Sequence, residues 1–133
     1  MMKVEHIGIA VKSLSESIPL FEKLLNSPCY KTETIESEQV NTAFFKKEDT
    51  KIELVEATDK NSVINSFIEK RGEGIHHLAF EVEDINKEMQ RLQNDGFQLL
   101  NTEPKAGADN KLICFLHPKS TNGVLVELCQ EIK

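Results

Sequence analysis

The chain has 133 residues, of which 39% are hydrophobic and 29% charged, with a net charge of −6. That balance describes a folded globular chain of one domain's length, able to bury a core and too apolar to stay disordered. The acidic charge argues against nucleic acid, no apolar run approaches the ~20 residues of a membrane helix, and the opening MMKVEHIGIAV lacks a signal peptide's core and cleavage site.

Val4 to Val11 (VEHIGIAV) alternates and is rich in β-branched residues, which predicts a strand. Ser13 then opens a helix over 14–25, with Leu14, Ile18, Phe21, Leu24 and Leu25 at helical spacing and Ser13 and Glu16 in capping-box positions. Pro19 is expected to disturb its first turns. Short strands are predicted over 32–36, 40–45 and 51–55, the last two separated by the polar turn KKEDT. A short helix over 62–70 ends at the glycine-rich stretch 71–74, followed by a strand over 75–82 (IHHLAFEV). Asp84 starts a helix to about Asn94, with Ile85, Met89 and Leu92 on one face and Asp95-Gly96 as its stop. Strands over 112–116 and 123–129 close the chain, joined by HPKSTN. Three cysteines, Cys29, Cys114 and Cys129, fall in no metal-binding spacing; reduced thiols and a cytoplasmic location are the simplest expectation.

The two halves follow one plan. HIGIAVKSLSESIPLFEKLLNS aligns with HLAFEVEDINKEMQRLQNDGF, and TAFFKKEDTKIELVEA aligns with ICFLHPKSTNGVLVELCQ. The chain therefore reads as a tandem duplication of a β-α-β-β-β unit, an α+β fold in one domain over 1–133, with modules at about 1–60 and 74–133. Superposed, His6 falls on His77 and Glu53 on Glu127; Glu53 lies 47 residues after His6, and Glu127 lies 50 after His77.

A lone histidine at a strand end is more often structural than a ligand, and alternation could turn either glutamate to solvent. Equivalent positions in a repeat change the balance. Two modules related by a pseudo-twofold axis would bring two imidazoles and two carboxylates together, a complete set for a divalent ion of borderline hardness. His76 points to the opposite face from His77 and is expected to pack or hydrogen-bond.

With these residues in view, the chain resembles the glyoxalase / vicinal oxygen chelate superfamily. Within it, HIGIAV, TKIELVEA, EKRGEGIHHLAFEVEDI and FLHPKSTNGVLVELCQ resemble the methylmalonyl-CoA epimerase family almost end to end. The resemblance implies a curved, cup-like mixed sheet around a metal site. It places the metal ligands on His6, Glu53, His77 and Glu127, with cobalt the first choice of ion and manganese, zinc and nickel as alternatives. It also implies interconversion of (R)- and (S)-methylmalonyl-CoA by removal and return of an α-proton, with Glu127 as one acid/base group. The second group is open: Thr42 stands where some family members have glutamate, Glu38 reads better as solvated charge, and a metal-bound water and Glu53 are the remaining candidates. Lys119 and Ser120, on the turn before the Glu127 strand, are the candidates for substrate contact. The expected partners are a small acyl-CoA substrate and a second copy in a homodimer, with no nucleic acid and no membrane. A lactoylglutathione lyase and a non-catalytic ligand-binding protein of the same fold are the competing readings.

Overall fold

Each amphipathic stretch of the sequence finds a sheet face to cover, in a computed structural model that describes residues 2–133. The chain forms two compact units. The first spans His6–His76; the second spans His77–Lys133 with the opening residues through Glu5. The strands and helices of the first sequence module are β1 (Lys3–Ala10), α1 (Leu14–Leu25), β2 (Lys31–Ile35), β3 (Val40–Lys47), β4 (Thr50–Ala57) and α2 (Val63–Arg71). Those of the second are β5 (Gly74–Glu81), α3 (Ile85–Asn94), β6 (Lys105–Gly107), β7 (Lys111–Leu116) and β8 (Val126–Glu131). The fold class is α+β, and the β-α-β-β-β order occurs twice.

Sheet topology repeats as well. In the first unit the strands run β2-β3-β4-β1, with β1 parallel to β4 and the remaining pairs antiparallel. In the second they run β5-β8-β7-β6, again with the first and last strands of the module parallel and the others antiparallel. A parallel pair needs a crossover, and here a helix and two further strands supply it.

Helix starts follow their capping residues. Ser13 accepts from the Glu16 amide, Ser62 from Ile64 and Asp84 from Lys87. Helix α1 lays Leu14, Ile18, Phe21 and Leu25 against Ala43, Phe45 and Leu54. Helix α3 does the same in the second unit, placing Ile85, Met89 and Leu92 on Cys114, Leu116 and Leu128. Helix α2 covers the opposite face of the first unit's sheet, with Ile64 and Phe67 packed on Ala10, Val40 and Val55. That leaves part of this face to polar residues.

One strut ties each of α1 and α3 to the last strand of its module. The Leu14 amide donates to the Glu56 carboxylate at 2.9 Å, and the Ile85 amide donates to the Gln130 side-chain oxygen at 2.8 Å. Each satisfies an amide that the helix itself leaves without a partner. Asn41 and Thr34 extend the first strut into a hydrogen-bonded chain across the outer face of β3 and β2.

Several boundaries differ from expectation. Pro19 lies inside α1 without ending it: Ser15, whose carbonyl loses a donor to the ring, is exposed, so water can replace the bond. Strand β8 begins at Val126 and not at residue 123, because Asn122 and Gly123 turn left-handed (φ 57° and 87°) and Val124 bonds back to Thr121. Strand β6 was not anticipated; it is three residues long. Its Gly107 lies so close to Ile113 that a Cβ would sit 2.8 Å from that side chain. Among the described residues the three cysteines are free, and no helix is long and apolar enough to cross a membrane.

The strut yields a direct test. Glu56→Ala should lower unfolding free energy by about 1–2 kcal/mol, while Glu56→Gln, the residue type the second module already uses, should cost little. Urea denaturation with an unchanged slope would show it; equal losses in both variants would contradict it.

Candidate active site

The parallel register fixes the geometry of each module's histidine and glutamate. On β1 and β4, Gly8 lies opposite Glu53. On β5 and β8, Ala79 lies opposite Glu127. His6 precedes Gly8 by two residues, and His77 precedes Ala79 by two. Side chains two apart on a strand share a face, so each histidine sits diagonally beside its glutamate. His6 Nε2 lies 3.4 Å from a Glu53 carboxylate oxygen, and His77 Nε2 lies 3.3 Å from one of Glu127. All four residues are 5–6% exposed.

The neighbours of each glutamate are also duplicated. A small residue, Gly8 or Ala79, lies on one side, and a phenylalanine on the other: Phe44 opposite Glu53, Phe115 opposite Glu127. The small residue leaves room for the carboxylate to lean toward its imidazole, and the ring excludes water. The His77 ring stands edge-on to Phe115 at 6.1 Å between centroids. This flanking pattern escaped the sequence reading, although the small residue two places after each histidine (HIG, HLA) was there to find.

A buried carboxylate costs free energy unless it meets a donor or a cation. Each glutamate here meets an imidazole through a ring nitrogen that, in the neutral ring, is either a donor or a metal ligand. An imidazole nitrogen beside a carboxylate is a donor pair suited to a divalent ion of intermediate hardness. A softer candidate lies nearby and is engaged elsewhere. Cys129 follows Glu127 by two residues, but burial, then the charges of Glu127 and Glu5, push its thiol far above the ordinary range. It stays protonated and donates to the Phe80 carbonyl at 3.4 Å.

The remaining sequence candidates divide. His76 turns to the other face and packs edge-on against Phe67 at 4.9 Å, as alternation predicts. Thr42 is 2% exposed, lies on the Phe44 face, and its hydroxyl donates to the Glu33 carbonyl. Glu38 ends a short 3-10 turn, where its carbonyl accepts from Ser62. Lys119 and Ser120 lie in the 3-10 turn Pro118–Thr121, after the strand that carries Phe115. Lys119 is exposed; the Ser120 hydroxyl already accepts from the Gln98 amide at 2.9 Å and so holds the neighbouring loop.

Comparison with known proteins places this architecture. Residues 5–115 match the Glyoxalase/Bleomycin resistance protein/Dioxygenase superfamily. The chain belongs to that superfamily and, within it, to the methylmalonyl-CoA epimerase family. The mitochondrial methylmalonyl-CoA epimerase of Dictyostelium discoideum is 38% identical over 95% of this chain and 76% of its own length. The ethylmalonyl-CoA/methylmalonyl-CoA epimerase of Cereibacter sphaeroides is 38% identical over 96% and 97%. Among solved structures, a single-substitution variant of Streptomyces coelicolor methylmalonyl-CoA epimerase in complex with 2-nitronate-propionyl-CoA superposes with a TM-score of 0.92 at 30% identity, covering 98% of each chain.

The His77–Glu127 pair makes a measurable claim about stability. With chelator present, His77→Leu should destabilise more than the double change His77→Leu/Glu127→Leu, because the single change leaves a buried carboxylate without its imidazole. A double change at least as costly as the sum of the two single ones would show the pair to be uncoupled.

Proposed function

We propose that the chain is a metal-dependent methylmalonyl-CoA epimerase, interconverting the (R) and (S) thioesters. The observation that carries this reading is the duplicated buried His–Glu pair, in a chain 38% identical to epimerases of that substrate. On this reading His6, Glu53, His77 and Glu127 hold one divalent ion, with cobalt the first candidate. When bound, the ion supplies Lewis-acid stabilisation for the negative charge that develops on the thioester oxygen.

The residues do the rest. The substrate's α-proton lies between a thioester carbonyl and a carboxylate, and inversion requires its loss from one face and its return on the other. The carboxylate of Glu127 accepts the proton, forming an O–H bond as the C–H pair moves into the enolate. The Thr42 hydroxyl cannot serve as the opposing base near neutral pH, and it is occupied by a backbone carbonyl. Glu53, the repeat counterpart of Glu127, is the carboxylate we assign to the other face. Burial beside Phe44 and Phe115 keeps water from quenching the enolate. Lys119, exposed on the turn after β7, is the cation we assign to the CoA phosphates, and Ser120 fixes that turn by accepting from the Gln98 amide. The homodimer reading is supported by the exposed pair Leu20 and Leu24 on α1, and the cytoplasmic reading by the free cysteines.

Incubated in deuterium oxide, the protein should exchange the α-proton of methylmalonyl-CoA, lose that activity to chelator and recover it with Co²⁺ or Mn²⁺. Glu127→Gln should slow exchange by about 10²–10⁴-fold with the fold intact. Activity indifferent to chelator, or turnover of the methylglyoxal–glutathione hemithioacetal instead, would contradict the reading.

A further inference from the structure

The HPKS turn contains a third imidazole that the paired residues leave unused. Strand β7 pairs Leu116 with Val126, and β5 pairs Leu78 with Val126. One residue along, His117, Leu125 and His77 therefore fall in one row across the second unit, a register confirmed by the Leu78 amide donating to the Leu125 carbonyl. The backbone of His117 is still extended (φ −66°, ψ 131°), so alternation keeps its side chain on the face of Phe115 and Glu127. Two strand spacings separate its backbone from that of His77, roughly 10 Å.

This side chain is held in place. The His117 amide donates to the Gln98 carbonyl at 2.8 Å, its carbonyl accepts from the Ser120 amide at 2.9 Å, and its Nδ1 accepts from the Lys119 amide at 3.0 Å. A ring that accepts at Nδ1 carries its proton on Nε2 in the neutral form. Among the described residues nothing accepts from that Nε2–H, and the residue is half-buried. The result is a fixed, tautomer-selected donor with its hydrogen bond still to make, in the row of His77.

We propose that His117 positions the substrate by donating from Nε2 to the first amide carbonyl of the pantetheine arm. This rests on the epimerase reading. On that reading the acyl group is held at the His77–Glu127 pair, and the first hydrogen-bond acceptor beyond the sulfur is the amide carbonyl a few bonds further along the arm, the group that a donor about 10 Å from His77 could meet. Two backbone hydrogen bonds and one to the ring hold the donor, so it loses little freedom on binding.

The test compares His117→Asn with His117→Gln. The asparagine oxygen can replace Nδ1 as acceptor for the Lys119 amide but offers nothing at the Nε2 position; glutamine puts an amide there. Deuterium exchange is measured with methylmalonyl-CoA, with the methylmalonyl thioester of N-acetylcysteamine, which keeps the first amide, and with the ethanethiol ester, which lacks it. His117→Asn should raise KM about five- to tenfold for the first two with kcat nearly unchanged, and leave the third unaffected. His117→Gln should restore most of the lost affinity. Unchanged KM in His117→Asn, or an equal rise for the ethanethiol ester, would overturn the role of His117 alone. No exchange of any thioester by the unaltered protein would overturn the epimerase reading and this role with it.

Discussion

The structure depends on one constraint of strand pairing: in each module the first and last strands are parallel, with the histidine two residues ahead of the position facing the glutamate. A shift of one residue would send the whole set to the other face. Because the register is the same in both halves, each obtains a buried imidazole–carboxylate pair with matching neighbours, a small residue on one side and a phenylalanine on the other. Burial makes such a pair consequential. A carboxylate at 5–6% exposure is tolerated only with a partner, which keeps the imidazole in place and the group ready for a cation.

The rest of each module serves that register. Helices α1 and α3 cover the outer faces and are held to the last strands by Glu56 and Gln130. The duplication is not uniform, and its departures fall beside the glutamates. Two residues beyond Glu53 lies Val55, facing Thr42; two beyond Glu127 lies Cys129, facing Ile113. One module thus has a buried hydroxyl where the other has a methyl-bearing side chain, and one has a buried thiol where the other has an alkyl group. Neither the hydroxyl nor the protonated thiol can act as a base near neutral pH.

Much of this was legible in the residues. The span of α1 was read correctly from Ser13 and the spacing of its leucines, and α3 from Asp84, because a capping side chain and a helical period agree on the same start. The duplication was visible because His6 and His77, Glu53 and Glu127 occupy matching places. Alternation alone left the face of each glutamate open; the register settles it, and that depends on which strand lies alongside, a long-range fact. Strand β6 was missed because Lys-Ala-Gly carries no strand signature and pairs through close approach of Gly107 to Ile113. The start of β8 was misplaced because Asn122 and Gly123 extend a turn whose left-handed residues are set by hydrogen bonding. The orientation of His117 rests on a bond from Lys119 two residues later, which no periodicity encodes.

The proposal that both pairs serve one ion is tested most directly by counting. Purified protein loaded with Co²⁺ and freed of excess metal should retain one ion per chain. His6→Ala and His77→Ala should each lose that ion while unfolding cooperatively in urea. Two ions per chain, each lost separately with its own histidine, would show two independent sites and contradict the account, as would a chain that retains none.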